Sequence, residues 1–221
     1  MTTLAMLQDP GISRDAFEDL AARKLGPAQI RWATEPAPVA ERARGARVIV
    51  TVNEPVDAEA LRQVRPEMVA ISFTGFDHVD LDYLASEGIG FASAPGSNAN
   101  SAAEYVIAAM LEICRRRGIR LEGKSIGVIG VGNVGSRVAG KCEALGMRVL
   151  RNDPPLARRT GDWKYVPLEE LYSCDFLTIH TPLTREGPDR TYHLADGDFL
   201  ASLKPNAVFV NASRGAVVDT A

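Results

Sequence analysis

The chain has 221 residues, 46% of them hydrophobic and 24% charged, and its formal net charge is −3. This composition is that of a globular protein with a proper core, and the weakly acidic balance lacks the electrostatic footprint of nucleic-acid binding. Three cysteines without a CxxC pair argue against a disulfide framework or a metal site and favour reduced thiols. The first residues show no signal peptide, and no apolar run reaches membrane-spanning length. We therefore expect a cytoplasmic protein without nucleic-acid, membrane or metal partners.

Up to about residue 95, short apolar runs alternate with segments of helical spacing. The Pro-rich segment 27–45 is predicted to be a loop with a short helix. The pieces DAEALRQV and DLDYLASEG are predicted to be helical because their apolar residues follow helical spacing. Alternation of this kind indicates a parallel α/β sheet. The strands are predicted at 46–52, 67–73 and 89–94.

The segment 97–118 is predicted to form a long helix. Ser101 and Glu104 match the S-x-x-E capping box, which places the start of the helix near Ser101. An apolar stripe follows at helical spacing, and its members are Val106, Ile107, Met110, Leu111 and Cys114. The stripe fits a core helix and a domain-linking or dimer-forming helix equally well, so both interpretations stay open.

Alternation of strands and helices restarts after residue 123. Gly130, Gly132 and Gly135 form a G-x-G-x-x-G pattern directly after a predicted strand and at the opening of a helix. In a dinucleotide-binding turn the first glycine permits the turn, the second lets the backbone approach a pyrophosphate, and the third allows close packing. The free amides of Asn133 and Val134 would then face the phosphate charge. Strands are predicted at 125–130, 147–152, 175–180 and 206–212, and helices near 133–145, 167–173 and 196–203.

Asp153 ends the second of these strands, 18 residues after Gly135. A carboxylate at this point accepts hydrogen bonds from the adenosine ribose and repels a 2′-phosphate, which favours NAD over NADP. Arg158 and Arg159 follow closely enough to bear on that preference. The alternative for Asp153 is a turn-forming residue before two prolines.

Residues that could bind a ligand or take part in catalysis lie at the predicted carboxyl ends of four strands. Because ligands of doubly wound sheets bind at this edge, the clustering predicts a ligand site there. The four groups are Gly130–Gly132, Asp153, His180-Thr181-Pro182 and Ala212-Ser213-Arg214.

Four longer motifs carry a resemblance to a known family: TGFDHVDLDYLASEGIGFASAPGSNANSAAEYV, GKSIGVIGVGNVGSRV, DFLTIHTPLT and LKPNAVFVNASRGAVVD. With them, the chain from about residue 46 to its end resembles the D-isomer-specific 2-hydroxyacid dehydrogenases. Within that family, NDPPLARR and HTPLTREGPDRTYHLAD resemble the erythronate-4-phosphate dehydrogenase branch of vitamin B6 synthesis. The resemblance implies a flavodoxin-like α/β substrate domain over 1–96, a linking helix at 97–118, and an incomplete Rossmann-like doubly wound sheet over 119–221.

The resemblance also implies a reaction and the residues that serve it. The reaction is hydride transfer between NAD and the 2-position of a small 2-hydroxy or 2-oxo acid. Backbone amides around Thr74 and Gly75 would bind the substrate carboxylate, and Arg214 would be the catalytic arginine that polarises the 2-oxygen. A full-length form would be a homodimer. The implied NAD-binding residues are Gly130, Gly132, Asn133, Val134, Gly135, Asp153, His180, Thr181, Pro182, Ala212, Ser213 and Arg214.

The histidines do not match the catalytic histidine of this family, which pairs with a glutamate and lies downstream of the arginine. His78 is expected beside the carboxylate site, His180 at the cofactor edge, and His193 in a structural role. Because the chain stops at Ala221, we expect a fragment or a truncated form that is inactive alone.

Two positions depart from the erythronate-4-phosphate pattern. Thr51-Val52 stand where the branch has an Arg-Ser pair, and Phe73 replaces a hydroxyl residue. A phosphorylated substrate needs cations or a nest of donors, and the sequence near Thr51 reveals neither. A glyoxylate- or hydroxypyruvate-type reductase therefore stays open, as do a non-catalytic NAD(H)-binding interaction protein and an inactive fragment.

Overall fold

The structure, a computed structural model, describes residues 2–9, 11 and 13–220. The chain forms two compact units, Met1–Ser97 and Asn98–Ala221. Each unit has its own parallel sheet and its own hydrophobic clusters. The α/β class predicted from the alternation of strands and helices is confirmed.

The first unit contains a five-stranded sheet in the order β2-β1-β3-β4-β5, parallel throughout. This is the strand order of flavodoxin-like sheets, in which the order reverses between β1 and β3. The role of the unit as a substrate domain remains a prediction. The elements are β1 Thr2–Met6, α1 Arg14–Leu25, β2 Ala28–Trp32, α2 Val39–Arg42, β3 Val48–Thr51, β4 Met68–Ile71, α3 Leu81–Ser86 and β5 Gly90–Ala92.

Two predictions for this unit need correction, and two of its elements were missed. The segment 27–45 is more than a loop with a short helix, because β2 pairs with β1 along its whole length. The segment DAEALRQV forms turns and no regular helix, although Leu61 and Val64 are buried as helical spacing would require. Finally, β1 and α1 were not predicted at all. The strands at 46–52, 67–73 and 89–94 are confirmed with shorter bounds.

The second unit contains a four-stranded parallel sheet in the order β7-β6-β8-β9. The chain passes from β6 to β7 on one side and then crosses to β8 on the other, so the order reverses between β6 and β8. The predicted Rossmann-like sheet is confirmed. The elements are α4 Ala99–Arg117, β6 Ser125–Ile129, α5 Asn133–Ala144, β7 Arg148–Asn152, α6 Pro154–Thr160, a 3-10 helix Leu168–Ser173, β8 Phe176–Ile179, α7 Gly197–Ser202, β9 Val208–Asn211 and a 3-10 helix Gly215–Val217.

The helix predicted over 97–118 is confirmed as α4, but it begins earlier than the capping box predicted. Ala99 is its first residue, so Ser101 lies inside the helix and the predicted capping box is wrong. The Glu104 carboxylate accepts a hydrogen bond from Asn100 Nδ2 at 2.7 Å and lies 3.5 Å from Lys141 Nζ on α5. Glu104 therefore joins α4 to α5 and does not cap α4.

The buried face of α4 packs into the core of the second unit. This face differs from the predicted stripe, because Leu111 is 47% exposed. The domain-linking and dimer-forming roles of α4 remain predictions. The buried residues of α4 are Ala99, Ala103, Val106, Met110 and Cys114.

Residues 2–9, 11 and 13–220 contain no helix long and apolar enough to cross a membrane. The same residues contain no group of three His, Cys, Asp or Glu side chains that could hold a metal ion. Cys114, Cys142 and Cys174 are buried and free. Burial raises the pKa of each thiol, to about 11 for Cys142.

Candidate functional site

The turn between β6 and α5 depends on two glycines for its packing. Gly130 has φ 80°, and a Cβ atom there would lie 2.9 Å from the carbonyl carbon of His180 and from Thr181 Cγ2. A Cβ atom on Gly135 would lie 1.9 Å from the Gly130 carbonyl oxygen. Both glycines are therefore required because β6, α5 and the end of β8 approach one another closely.

The middle glycine of the turn has a different environment. A Cβ atom on Gly132 would meet no heavy atom of the described chain within 4 Å, apart from its own neighbours. No side chain of residues 13–220 caps the start of α5. The first-turn amides at Asn133 and Val134 therefore face a space that could hold a negatively charged group.

The Asp153 carboxylate connects this turn to the end of β7. Its Oδ2 accepts a hydrogen bond from Val131 N at 2.7 Å, and its Oδ1 accepts one from Leu156 N at 2.9 Å. Asp153 thus caps α6, as the turn-forming alternative would require. A carboxylate offers about four lone-pair sites, so two hydrogen bonds leave capacity for ribose hydroxyls.

Two polar atoms at the end of β8 are buried without a hydrogen-bond partner among the described residues. They are His180 Nδ1 and Thr181 Oγ1. The other ring nitrogen, His180 Nε2, lies 3.0 Å from Thr178 Oγ1. Burial lowers the pKa of His180 to about 4, so the ring is neutral at physiological pH. Buried polar atoms without partners are uncommon in proteins, and here they are consistent with a ligand that completes their hydrogen bonds.

These residues surround a cavity of about 310 Å³ at the carboxyl ends of β6, β7 and β8. The volume falls in the range of about 300 to 1,000 Å³ that is typical of small-molecule sites. The cavity lies where the strand order reverses between β6 and β8, which is where doubly wound sheets bind ligands. The structure brings six predicted cofactor residues to this cavity: Gly130, Gly132, Asp153, His180, Thr181 and Pro182.

The remaining predicted residues of this unit follow β9, the strand beside β8. Asn211 shapes their turn, because its Oδ1 accepts hydrogen bonds from Ser213 N at 3.0 Å and Ser213 Oγ at 2.8 Å. Asn211 Nδ2 donates to the Arg214 carbonyl oxygen at 2.8 Å. Ala212, Ser213 and the partly buried Arg214 therefore occupy the same sheet edge as the cavity. Sequence reasoning missed Asn211, although an asparagine before a polar turn is a typical turn-former.

The loop after β8 forms one wall of the cavity and was also missed. Thr184 N donates to Thr191 Oγ1 at 2.8 Å, and Thr191 N donates to Thr184 Oγ1 at 3.0 Å. Asp189, between these threonines, forms an ion pair with Arg158 of α6. His193 follows the loop, stacks on Tyr192 and lies 3.4 Å from an Asp219 carboxylate oxygen, which fits a structural role.

In the first unit, the predicted substrate residues Thr74 and Gly75 follow β4 at the carboxyl edge of the sheet. Thr74 Oγ1 lies 3.4 Å from the Ala94 carbonyl oxygen and 3.3 Å from Gly96 N. This joins the loop after β4 to the loop after β5, at the edge where a parallel sheet binds ligands.

The end of β3 contains a cluster of donors that the sequence did not reveal. Gln8 Oε1 accepts hydrogen bonds from Thr51 Oγ1 at 3.0 Å, Val52 N at 3.0 Å, Asn53 N at 2.7 Å and Glu54 N at 3.1 Å. The four donors form a nest that the Gln8 side chain already fills, so the absence of an open phosphate site near Thr51 stays a prediction. The sequence could not reveal the nest because its acceptor lies more than 40 residues away along the chain.

Comparison with known proteins gives a consistent picture. The family model "D-isomer specific 2-hydroxyacid dehydrogenase, NAD binding domain" matches residues 99–221. The chain is 44% identical over 227 residues to the erythronate-4-phosphate dehydrogenase of Salinibacter ruber, covering 99% of this chain and 56% of that protein. It is 46% identical over 176 residues to that of Edwardsiella ictaluri, covering 79% of this chain and 46% of that protein. The chain thus spans about half the length of the curated relatives it matches.

Solved structures share the fold over the whole chain. An NAD⁺-bound 3-phosphoglycerate dehydrogenase of Entamoeba histolytica superposes with a TM-score of 0.84 at 22% identity, covering 99% of this chain and 74% of that one. The D-lactate dehydrogenase of Escherichia coli superposes with a TM-score of 0.78 at 25% identity, covering 100% of this chain and 76% of that one. Both are similar to this chain in fold.

Proposed function

The chain belongs to the D-isomer specific 2-hydroxyacid dehydrogenase family, and we propose that it functions as an NAD-dependent oxidoreductase acting on the CH–OH group of a D-2-hydroxy acid. The observation that carries the proposal is the glycine turn at the β6/β8 reversal, with Arg214 at the end of β9 on the same sheet edge. When bound, NAD would supply the acceptor for the hydride at the 2-position of the hydroxy acid.

The residues present fit the cofactor. The space beside Gly132 and the first-turn amides of α5 suit a pyrophosphate, because a side chain at Gly132 would fill that space. Asp153 keeps lone pairs for the adenosine ribose, and the buried polar atoms of His180 and Thr181 lack partners in the described chain. Ala212 and Ser213 would complete the cofactor site from the end of β9.

Arg214 is proposed as the catalytic arginine. Its guanidinium is permanently charged and planar, so it can bind the substrate carboxylate and stabilise negative charge on the 2-oxygen. The hydrogen bond from Asn211 Nδ2 to the Arg214 carbonyl oxygen fixes the backbone at Arg214 and so helps to position its side chain. The amides around Thr74 and Gly75 are proposed to bind a substrate carboxylate.

The proposed substrate is 4-phosphoerythronate, which would place the protein in pyridoxal phosphate biosynthesis. The proposal is supported by identities of 40% to 47% to proteins with that dehydrogenase activity in their names. A homodimer through α4 and a cytoplasmic location are proposed on the basis of the same family and the three free thiols.

A glyoxylate- or hydroxypyruvate-type reductase is the second candidate, and the donor nest at the end of β3 favours it. The neutral amide oxygen of Gln8 fills the nest. The buried Arg42 nearby is neutralised by Glu54, whose Oε1 lies 2.7 Å from Arg42 Nη2. These donors and the Arg42 cation are therefore already occupied, which favours a substrate without a phosphate group. The kcat/KM values for 4-phosphoerythronate and for hydroxypyruvate, measured side by side, decide between the two.

The central test is the Arg214→Ala variant of the complete protein encoded by the gene. Turnover should fall by at least about 10²-fold, because the guanidinium that stabilises negative charge on the 2-oxygen is removed. The Kd for NAD should stay within about twofold. NADH production and NAD binding are measured on the same preparation. Arg120→Ala, an exposed arginine outside the site, is the matched control and should leave both unchanged. Loss of NAD binding with intact turnover would contradict the role.

A further inference from the structure

Asp189 lines the same cavity as Asp153 and belongs to the loop after β8. We propose that Asp189 is a second determinant of cofactor choice: by pairing with Arg158, it withholds from NADP the cation that a 2′-phosphate would need. The inference rests on the proposed binding of NAD in this cavity.

The cation concerned lies on the helix that Asp153 caps. Arg158 is in the last turn of α6, and its guanidinium forms an ion pair with the Asp189 carboxylate. The side chains are 58% exposed for Arg158 and 31% exposed for Asp189, so the pair is accessible to solvent beside the cavity that Asp189 lines. A ligand entering beside Asp153 would therefore meet Arg158 already neutralised.

The chemistry of the two cofactors makes this pair consequential. NADP differs from NAD by a phosphate on the adenosine ribose, and phosphate binding relies on cations such as arginine. The cavity presents a repelling carboxylate at Asp153, and the ion pair with Asp189 cancels the positive charge of Arg158. Because exposed ion pairs are individually weak, the expected effect of Asp189 is a shift in preference of several fold.

The other charged side chain that this loop contributes to the cavity lining, Arg190, contacts Tyr192. Arg190 Nε donates to the Tyr192 carbonyl oxygen at 3.3 Å, and its guanidinium carbon lies 5.6 Å from the centroid of the Tyr192 ring. The backbone of the loop does not depend on the Asp189 side chain, because Thr184 Oγ1 donates to the Asp189 carbonyl oxygen at 2.8 Å. Replacement of the carboxylate should therefore leave the loop folded.

The test is a titration of Asp189→Asn with NADH and NADPH, followed by nucleotide fluorescence. Release of Arg158 should tighten NADPH binding by about 3- to 10-fold, because an exposed ion pair contributes little free energy. The affinity for NADH should change by less than about twofold. In the double variant Asp189→Asn/Arg158→Ala the gain should disappear. Asp153→Ser, which retains a capping residue on α6, should enlarge the gain when combined with Asp189→Asn.

Two matched controls separate this effect from a general change of charge. Glu186→Gln removes a carboxylate from the same loop at an exposed position outside the cavity lining, and Arg159→Ala removes the neighbouring arginine of α6. Neither should change NADPH affinity more than twofold. Unchanged NADPH affinity in Asp189→Asn, or a gain that survives Arg158→Ala, overturns the proposal while NADH binding stands. Failure of the wild-type protein to bind NADH would overturn the proposed function as well.

Discussion

His180 lies directly after β8, and the fold strongly changes its proton affinity. Burial in the cavity wall lowers the pKa of the ring from 6.5 to about 4. Its Nε2 lies 3.0 Å from Thr178 Oγ1, while Nδ1 has no partner within the described chain. The neutral ring can accept or donate one hydrogen bond to a bound ligand, whereas the charged ring would cost desolvation energy.

This shift predicts how stability depends on pH. The unfolded state binds the proton near pH 6.5 and the folded state only near pH 4, so stability falls as pH drops through that window. The loss should reach about 2 to 3 kcal/mol at the low end. Urea unfolding at intervals between pH 7 and 4.5 measures it. Asp175 and Glu112 have pKa values of about 2 in the folded protein, so their carboxylates become protonated, and their ion pairs are lost, only at more acidic pH.

The variant His180→Gln should remove most of the slope between pH 6.5 and 4.5, because glutamine does not titrate. His193→Gln is the matched control, since His193 is a histidine of the same unit outside the cavity lining. An unchanged slope in His180→Gln would show that burial of this ring is not the cause.

The β6–α5 turn separates glycines that the fold requires from one that a ligand requires. Gly130→Ala should destabilise the protein by about 1 to 3 kcal/mol, because its left-handed backbone and its close approach to His180 leave no room for Cβ. Gly132→Val should leave the melting temperature nearly unchanged and weaken NADH binding by more than about tenfold, since its side chain would fill the proposed pyrophosphate space. Thermal melts and NADH titrations measure both effects.

Helical Gly140 supplies the control for this pair. A Cβ atom there also meets no heavy atom within 4 Å in the described structure, and Gly140 lies outside the cavity lining. Gly140→Ala should leave NADH affinity unchanged. Equal losses of NADH binding in Gly132→Val and Gly140→Ala would argue against a ligand beside Gly132.

The elements that the sequence predicted well are those with local signals. The run from β6 to α5 has a buried strand, a glycine turn and a helical pattern in succession, and its bounds agree with the structure within two residues. Strand β2 was missed because its side chains are partly or fully exposed and prolines follow it. The start of α4 was misplaced because S-x-x-E also occurs inside helices, where Glu104 pairs with another helix.

The candidate site divides in the same way. The glycine turn and the residues at strand ends could be predicted, because motif and strand position are both local in sequence. Gln8 and the Arg158–Asp189 pair could not, because each contact joins residues separated by at least 31 positions. Only the folded sheet brings the loops after different strands together, so their contacts depend on topology.

At the scale of the molecule, each unit carries its polar loops at a reversal of strand order. In the first unit the reversal lies between β1 and β3, where Gln8 Oε1 accepts hydrogen bonds from the backbone amides that follow β3. In the second it lies between β6 and β8, where the cavity forms. By the same topological rule, each unit has one candidate ligand-binding edge, and we propose that the first unit binds the substrate and the second binds the cofactor.

Assembly of the protein should depend on the exposed side of α4. Tyr105 is 71% exposed and Leu111 is 47% exposed, with exposed Ala108 between them, although the opposite face of the helix is buried. If α4 forms the proposed homodimer, Tyr105→Glu/Leu111→Glu should convert a species of twice the chain mass to a monomer. Light scattering after gel filtration measures the mass. Leu20→Glu on α1, where Leu20 is also 47% exposed, should leave the dimer intact, and dissociation by this control would count against an interface at α4.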